Sequence, residues 1–166
     1  MEKKLGIPTK NQRPTFKNKP LPDNSRAVFH RTSSTLSKVQ KDPQKLDKCL
    51  LAMQKCIDHG FVEMVPESDL KLAPGKTWII PVFSVPKSDG SCRLVFDCTA
   101  QFEGTSLNEV LLRGPDLNNS LRGVLLRYRE KQVALCVDIK HMFNCFLVPE
   151  QHRDYLRFYW WKENSS

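Results

Sequence analysis

No stretch of this 166-residue chain approaches the roughly 18 consecutive apolar residues of a membrane span, and Met1-Glu2-Lys3-Lys4 leads into no signal-peptide core. The expectation is therefore a soluble, intracellular protein, cytoplasmic or nuclear and not secreted. Cys-x-x-Cys pairs are missing: the six cysteines stand at 49, 56, 92, 98, 136 and 145, and the four histidines are scattered. A zinc site is not expected from that spacing, and most of the cysteines read as small buried hydrophobes. There is no Gly-rich phosphate loop, no Gly-x-Ser-x-Gly nucleophile elbow and no His-Glu-x-x-His motif, so those enzyme classes find no support. The sequons Asn118-Asn119-Ser120 and Asn164-Ser165-Ser166 mean little without a secretory signal.

Acidic residues are scarce at the N-terminus. Residues 1–48 hold 12 Lys and Arg against 4 Asp and Glu, a net of +8, while residues 49–166 carry 14 of each. The same region contains Pro8, Pro14, Pro20, Pro22 and Pro43 and few large apolar residues, so residues 1–42 read as a basic, Pro-rich, flexible arm. Such an arm suits phosphate backbones, although a solvated tail that aids solubility has the same composition.

Local patterns place elements on the remainder, residues 43–166. Asp42 is a suitable N-cap with Pro43 at the first helical position. Leu46, Cys49, Leu50, Met53, Cys56 and Ile57 then recur on one helical stripe until Gly60 ends it. Phe61–Val65 and Trp78–Val85 read as strands. Lys87-Ser88-Asp89-Gly90-Ser91 turns the chain toward a partner strand over Cys92–Cys98. Ser106 and Glu109 form a capping-box pattern for a helix over Leu107–Arg113, ended by Gly114-Pro115. Asp116 is expected to cap a further helix whose Leu117, Leu121, Val124, Leu125 and Tyr128 share a core face, with Arg122, Arg127 and Arg129 elsewhere. Val133-Ala134-Leu135-Cys136-Val137 reads as a buried strand, and Phe146-Leu147-Val148 and Tyr155–Trp161 as further strands.

Asp138 closes that apolar run and has Phe143 five positions downstream. A carboxylate at a strand tip can hold a catalytic magnesium while an aromatic at that offset walls a sugar pocket, which is what a nucleotide polymerase requires. An aspartate also ends a buried strand merely by reaching solvent, and the pattern alone leaves both readings open.

Further landmarks accompany it in order: Ile80-Pro81-Val82, Arg93-Leu94-Val95-Phe96-Asp97, Ser106-Leu107-Asn108-Glu109-Val110-Leu111-Leu112, Gly114-Pro115-Asp116-Leu117, Leu125-Leu126-Arg127-Tyr128-Arg129 and Arg153-Asp154-Tyr155-Leu156-Arg157-Phe158. From Trp78 to Trp161 the chain resembles the reverse transcriptase of BEL/Pao retrotransposons, with a weaker likeness upstream through Leu21-Pro22-Asp23-Asn24 and the helix around Cys49. The resemblance implies an α+β fold, the fingers and first part of the palm of a right-hand polymerase. It implies that Asp138 is the first magnesium ligand, with the Ile139 carbonyl also facing the metal, and that Phe143 is the steric gate favouring deoxynucleotides. Arg93 would pair with the incoming triphosphate through its guanidinium fork, and Lys87 would be a second phosphate contact, although an exposed strand residue and a solvated turn residue are the bland readings of the two. Asp97 would be structural support.

The likeness stops before the family's second catalytic motif, an aromatic followed by x-Asp-Asp. Two-metal phosphoryl transfer needs several carboxylates, so the expectation is a catalytically incomplete piece of an RNA-directed DNA polymerase, whose inherited ligands are Mg2+, a deoxynucleoside triphosphate and an RNA or DNA template-primer. The alternatives are a non-catalytic remnant that binds nucleic acid or protein, and a product with no stable fold. If six or more charges of the arm meet phosphates, nucleic-acid affinity should drop about a thousandfold or more between 50 and 200 mM salt. A binding titration across that range tests this, and a flat profile would reject the electrostatic arm.

Overall fold

The computed structural model describes residues 2–5 by their backbone, and residues 20–112 and 116–161 in full. Helix and strand are mixed, as an α+β reading requires. Strand β1 is Glu2–Leu5, and two helices follow, α1 over Ser25–Val39 and α2 over Pro43–Asp58. Next come β2 (Val62–Met64), β3 (Val82–Pro86), β4 (Cys92–Phe96), β5 (Gln101–Phe102), β6 (Thr105–Ser106) and the single turn α3 (Leu107–Val110). Helix α4 (Leu121–Tyr128) and strand β7 (Arg157–Tyr159) complete the order. Among the described residues no helix is long and apolar enough to cross a membrane.

Helix α2 forms as its sequence dictates. Asp42 accepts a hydrogen bond from the Lys45 N–H at 3.1 Å, Pro43 occupies the first turn, and Gly60 leaves the helix at φ +68°. Its stripe seats Cys49 and Met53 in the core, where Met53 packs with Leu21, Val62, Trp78, Ile80, Val82, Leu107, Val110, Phe158 and Trp160. Each such side chain contributes roughly 1.5–3 kcal/mol by leaving water. At α3, the Ser106 N–H donates to the Glu109 carboxylate at 3.2 Å within the expected capping box. The turn ends at Val110, because Leu111 is extended; Arg113 and Gly114-Pro115 lie outside the described residues.

The segment Trp78–Pro81 is buried without being a strand, apart from a single parallel bridge from Ile79 to Arg157. Its backbone groups find partners from four distant places. The Trp78 N–H donates to the Asp154 carbonyl (3.1 Å), the Ile80 N–H to the Arg157 carbonyl (2.7 Å), and the Pro81 carbonyl accepts from the Asp97 N–H (2.9 Å). Asn24 serves Ile79 from both ends of its amide: Nδ2 donates to the Ile79 carbonyl at 2.8 Å, and Oδ1 accepts from the Ile79 N–H at 3.0 Å.

Several expectations are corrected. Residues 1–42 are not simply an arm, although residues 6–19, with Pro8 and Pro14, lie outside the described residues. Strand β1 is the middle strand of an antiparallel sheet of order β2-β1-β7, and α1 buries Val28, Thr32 and Val39. That narrow stripe, which uses a threonine as a core residue, is hidden among polar neighbours. Val133–Val137 form no strand: Val133, Leu135 and Val137 are all more than three-quarters exposed. A run apolar on both faces needs cover on both faces, and among the described residues no neighbouring strand pairs with it. Asp116 does not cap α4; its carboxylate accepts from the Asn118 N–H at 3.0 Å in a local turn, and the helix starts four residues after Leu117. The expected core face of α4 is open, with Leu117, Leu121, Val124, Leu125 and Tyr128 all exposed. Phe146–Val148 make no strand, and of Tyr155–Trp161 only Arg157–Tyr159 do, since Tyr155 and Leu156 end a 3-10 helix; Phe158 in β7 and the adjoining Trp160 are buried.

The double contact of Asn24 sets an expected outcome. Asn24→Ala leaves the Ile79 N–H and carbonyl buried and unpaired, and should cost about 2–4 kcal/mol, read as a lowered urea midpoint at unchanged slope. A change within 0.5 kcal/mol, roughly the scale of a surface substitution, would show that the contact carries no load.

Candidate nucleotide-binding groove

Three elements enclose a groove of ≈ 820 Å³: the outer face of α2, the β3–β4 hairpin, and the turn that follows Ile139. Helix α2 has two working stripes. One carries Cys49 and Met53 into the core; the other, Lys48, Leu51, Ala52, Lys55 and His59, repeats every three or four residues and walls the groove.

The hairpin supplies the opposite wall. Its register pairs Val85 with Arg93 and Pro86 with Cys92. The turn is closed by the Lys87 N–H donating to the Ser91 carbonyl (2.9 Å) and the Gly90 N–H to the Lys87 carbonyl (3.0 Å), with Gly90 at φ +75°. Asp89 accepts from the Ser91 hydroxyl (2.6 Å) and N–H (2.8 Å), and those hydrogen bonds hold its carboxyl below the usual carboxylate range. The base of the hairpin is fixed elsewhere: Asp97 accepts from Thr99 (2.7 Å) and from Arg31 of α1 (2.8 Å). Burial pushes the Asp97 carboxyl up, but the Thr99 and Arg31 hydrogen bonds and the Arg31 charge outweigh it and leave the group more acidic than usual.

The floor is aromatic. His59 stacks on Phe61 with centroids 5.2 Å apart at 27°, and His141 leans on Phe61 at 5.5 Å. His141 adopts a left-handed backbone, φ 57° and ψ 34°, which opens the turn Met142–Cys145 and carries Phe143 to the rim. A non-glycine residue held there is uncommon, and such positions cluster at binding sites.

Charge distinguishes the groove. Lys48, Lys55, Lys87, Arg93 and Lys140 line it, and no Asp or Glu does so among the described residues. The chemistry such a lining performs is to take up an anion, with ring faces available for a flat group beside it. Two thiols also meet here: Cys49 Sγ and Cys92 Sγ are 3.6 Å apart, and Cys92 opens on the groove.

Of the residues expected from sequence, Lys87, Arg93 and Phe143 come together in this groove, whereas Asp138 and Ile139 do not line it and lie exposed on the unpaired segment. Asp138 therefore does not stand at the tip of a buried strand. Among the described residues no three His, Cys, Asp or Glu side chains gather as a metal site, and one exposed carboxylate does not make a two-ion centre. Sequence reasoning missed Lys48, Lys55, His59, Phe61, Lys140 and His141. The available signal was the spacing 48-51-52-55-59, a second stripe on a helix read only for its core face.

Comparison with protein-family models, curated proteins and solved structures gave no match to this chain.

Gly90 is the position where the hairpin depends on a backbone that other residues avoid. Gly90→Ala meets no atom within 4 Å, so its cost is conformational alone. About 1–2 kcal/mol of stability should be lost in a denaturant titration; no loss would mean that the turn re-forms with another geometry.

Proposed function

We propose that this chain is the fingers and first palm portion of a reverse transcriptase of the BEL/Pao type. Its own molecular activity is to bind a deoxynucleoside triphosphate, and it does not polymerise by itself. The observation that supports this reading is that Lys87, Arg93 and Phe143, expected at phosphate and sugar from the resemblance, line one groove whose Lys and Arg side chains face no lining Asp or Glu among the described residues. The Arg93 guanidinium offers paired N–H donors to phosphate oxygens, Lys87 a compact charge, and the exposed Phe143 ring a wall for the sugar. Magnesium would arrive with the triphosphate, held mainly by its oxygens. Turnover is left out of this reading because two-metal transfer needs several carboxylates, and Asp138 does not line the groove.

A second reading, a non-catalytic nucleic-acid-binding remnant, is favoured by Lys48, Lys55 and Lys140 and by the His59, Phe61 and His141 rings. These extend the basic, ring-lined surface beyond what one triphosphate employs.

Titration of the full chain with Mg·dTTP separates the two. Arg93→Ala should weaken binding tenfold or more, as expected for the loss of a charge-assisted contact of about 1.5–3 kcal/mol. Asp138→Asn should change affinity less than threefold, and Phe143→Ala should narrow the preference for dTTP over UTP. Equal dTTP affinity in the parent and the Arg93→Ala chain would reject the nucleotide reading, and template-directed incorporation by the purified chain would reject its inactivity.

A further inference from the structure

We propose that Cys49 and Cys92 are a thiol–disulfide couple that ties helix α2 to the β3–β4 hairpin when a small-molecule disulfide such as oxidised glutathione is present. The two sulfurs come from elements 43 residues apart in sequence and touch at 3.6 Å, so a bond needs them about 1.5 Å closer. Their surroundings differ in the way a two-step exchange requires. Cys49 is fully buried on the inner stripe of α2, out of reach of a bulky reagent. Cys92 is half-buried and opens on the groove, where the reagent can arrive.

The exchange balances. The Cys92 thiol gives its proton to solvent, and the thiolate attacks one sulfur of glutathione disulfide, forming a mixed disulfide and expelling one glutathione thiolate. Cys49 then loses its proton and attacks the Cys92 sulfur, forming the Cys49–Cys92 bond and expelling the second glutathione. The protein pair is oxidised by two electrons, glutathione disulfide is reduced to two thiols, and the two protons released by the cysteines are taken up by the products.

Burial pushes the Cys92 thiol up, and the neighbouring Cys49 adds to this, while a hydrogen bond with Ser84 and the charge of Lys45 work the other way. Less thiolate is present near neutrality, so the exchange quickens as pH rises.

The bond would join the helix that carries Lys48 to the strand that carries Arg93. It would fix their separation covalently. The formation of the disulfide does not depend on what the groove binds.

The test uses the full chain with the exposed Cys136 and Cys145 changed to Ser, incubated at pH 8 in a glutathione series. Peptide mapping without reductant should recover Cys49 and Cys92 in one cross-linked species lacking two hydrogens and restored by dithiothreitol. The oxidised chain should also melt about 5 °C or more higher, because a long loop is closed. Cys92→Ser should abolish both changes. Recovery of Cys92 as a stable glutathione adduct beside a free Cys49 thiol would overturn the proposal, as would cross-links to Cys56 or Cys98, or both thiols remaining free throughout the series. Both readouts are taken without nucleotide, so failure of dTTP binding leaves this result unaffected.

Discussion

The fold rests on burying a stretch of backbone that belongs to no sheet. Trp78, Ile79, Ile80 and Pro81 are all buried, and amide groups hidden there must be paired or each costs on the order of a hydrogen bond's desolvation. The chain meets this by bringing Asn24, Asp154, Arg157 and Asp97 to the one segment. Asn24 carries an amide in its side chain, so it presents a donor and an acceptor with the spacing of a peptide group and acts as a one-residue strand. Alanine or leucine at the same place would bury as well and pair nothing. Arg157 adds a second fixed point, since its buried guanidinium is held by Asp154 at 3.0–3.1 Å, within three residues of the carbonyls that receive Trp78 and Ile80.

From this segment the groove follows. Pro81 leads directly into β3, and the Asp97 N–H that binds its carbonyl closes the far end of β4, so the hairpin is anchored at its base and free at its tip. The Arg31–Asp97 ion pair ties that base to α1, but half of the Arg31 side chain is exposed and the pair is worth at most about 1 kcal/mol. Packing does more: Met53 and Val82 share one core, with Leu94 and Phe96 lying against it, and this sets α2 beside the hairpin with its second stripe facing outward. A basic cleft is what remains between two elements that are each fixed by their apolar sides.

The readable parts of the sequence were those where local chemistry decides. Asp42-Pro43 and Gly60 bound α2, Ser106 and Glu109 cap α3, and Asp89-Gly90 makes the turn that presents Arg93. Each of these signals acts within four residues and needs no distant partner. The failures share the opposite property. The run at Val133–Val137 has every local mark of a strand, but a strand is defined by a neighbour, and none of the described residues provides one. The same lack leaves the apolar face of α4 open. Conversely, β1 carries the sequence Glu-Lys-Lys-Leu, which no periodicity would nominate as the centre of a sheet, and it becomes a strand through pairing with β2 and β7. Within the site, Lys87 and Arg93 were legible as flanks of one hairpin turn, and Phe143 from its offset to Asp138. Lys48, Lys55 and the His59–Phe61–His141 rings were not, since they meet only when α2 packs on β4 and the turn after Ile139 comes against Phe61.

The groove's composition sets what chemistry is open to it. Five cationic side chains without a lining carboxylate attract a polyanion from a distance and hold it once water is partly displaced. Gathering the ions of a two-metal phosphoryl transfer takes carboxylates instead, and the described lining holds none. Holding an anion and gathering metal ions therefore make opposite electrostatic demands. Asp138, the carboxylate expected from sequence to meet a metal, is exposed on a segment that no described strand pairs with. Val133–Val137 pair with no strand among the described residues, so nothing described fixes the backbone that leads into that carboxylate. On α2 and the hairpin the basic wall is already built by hydrogen bonds and core contacts, and Lys140 alone of its cations stands on the exposed stretch beside Asp138.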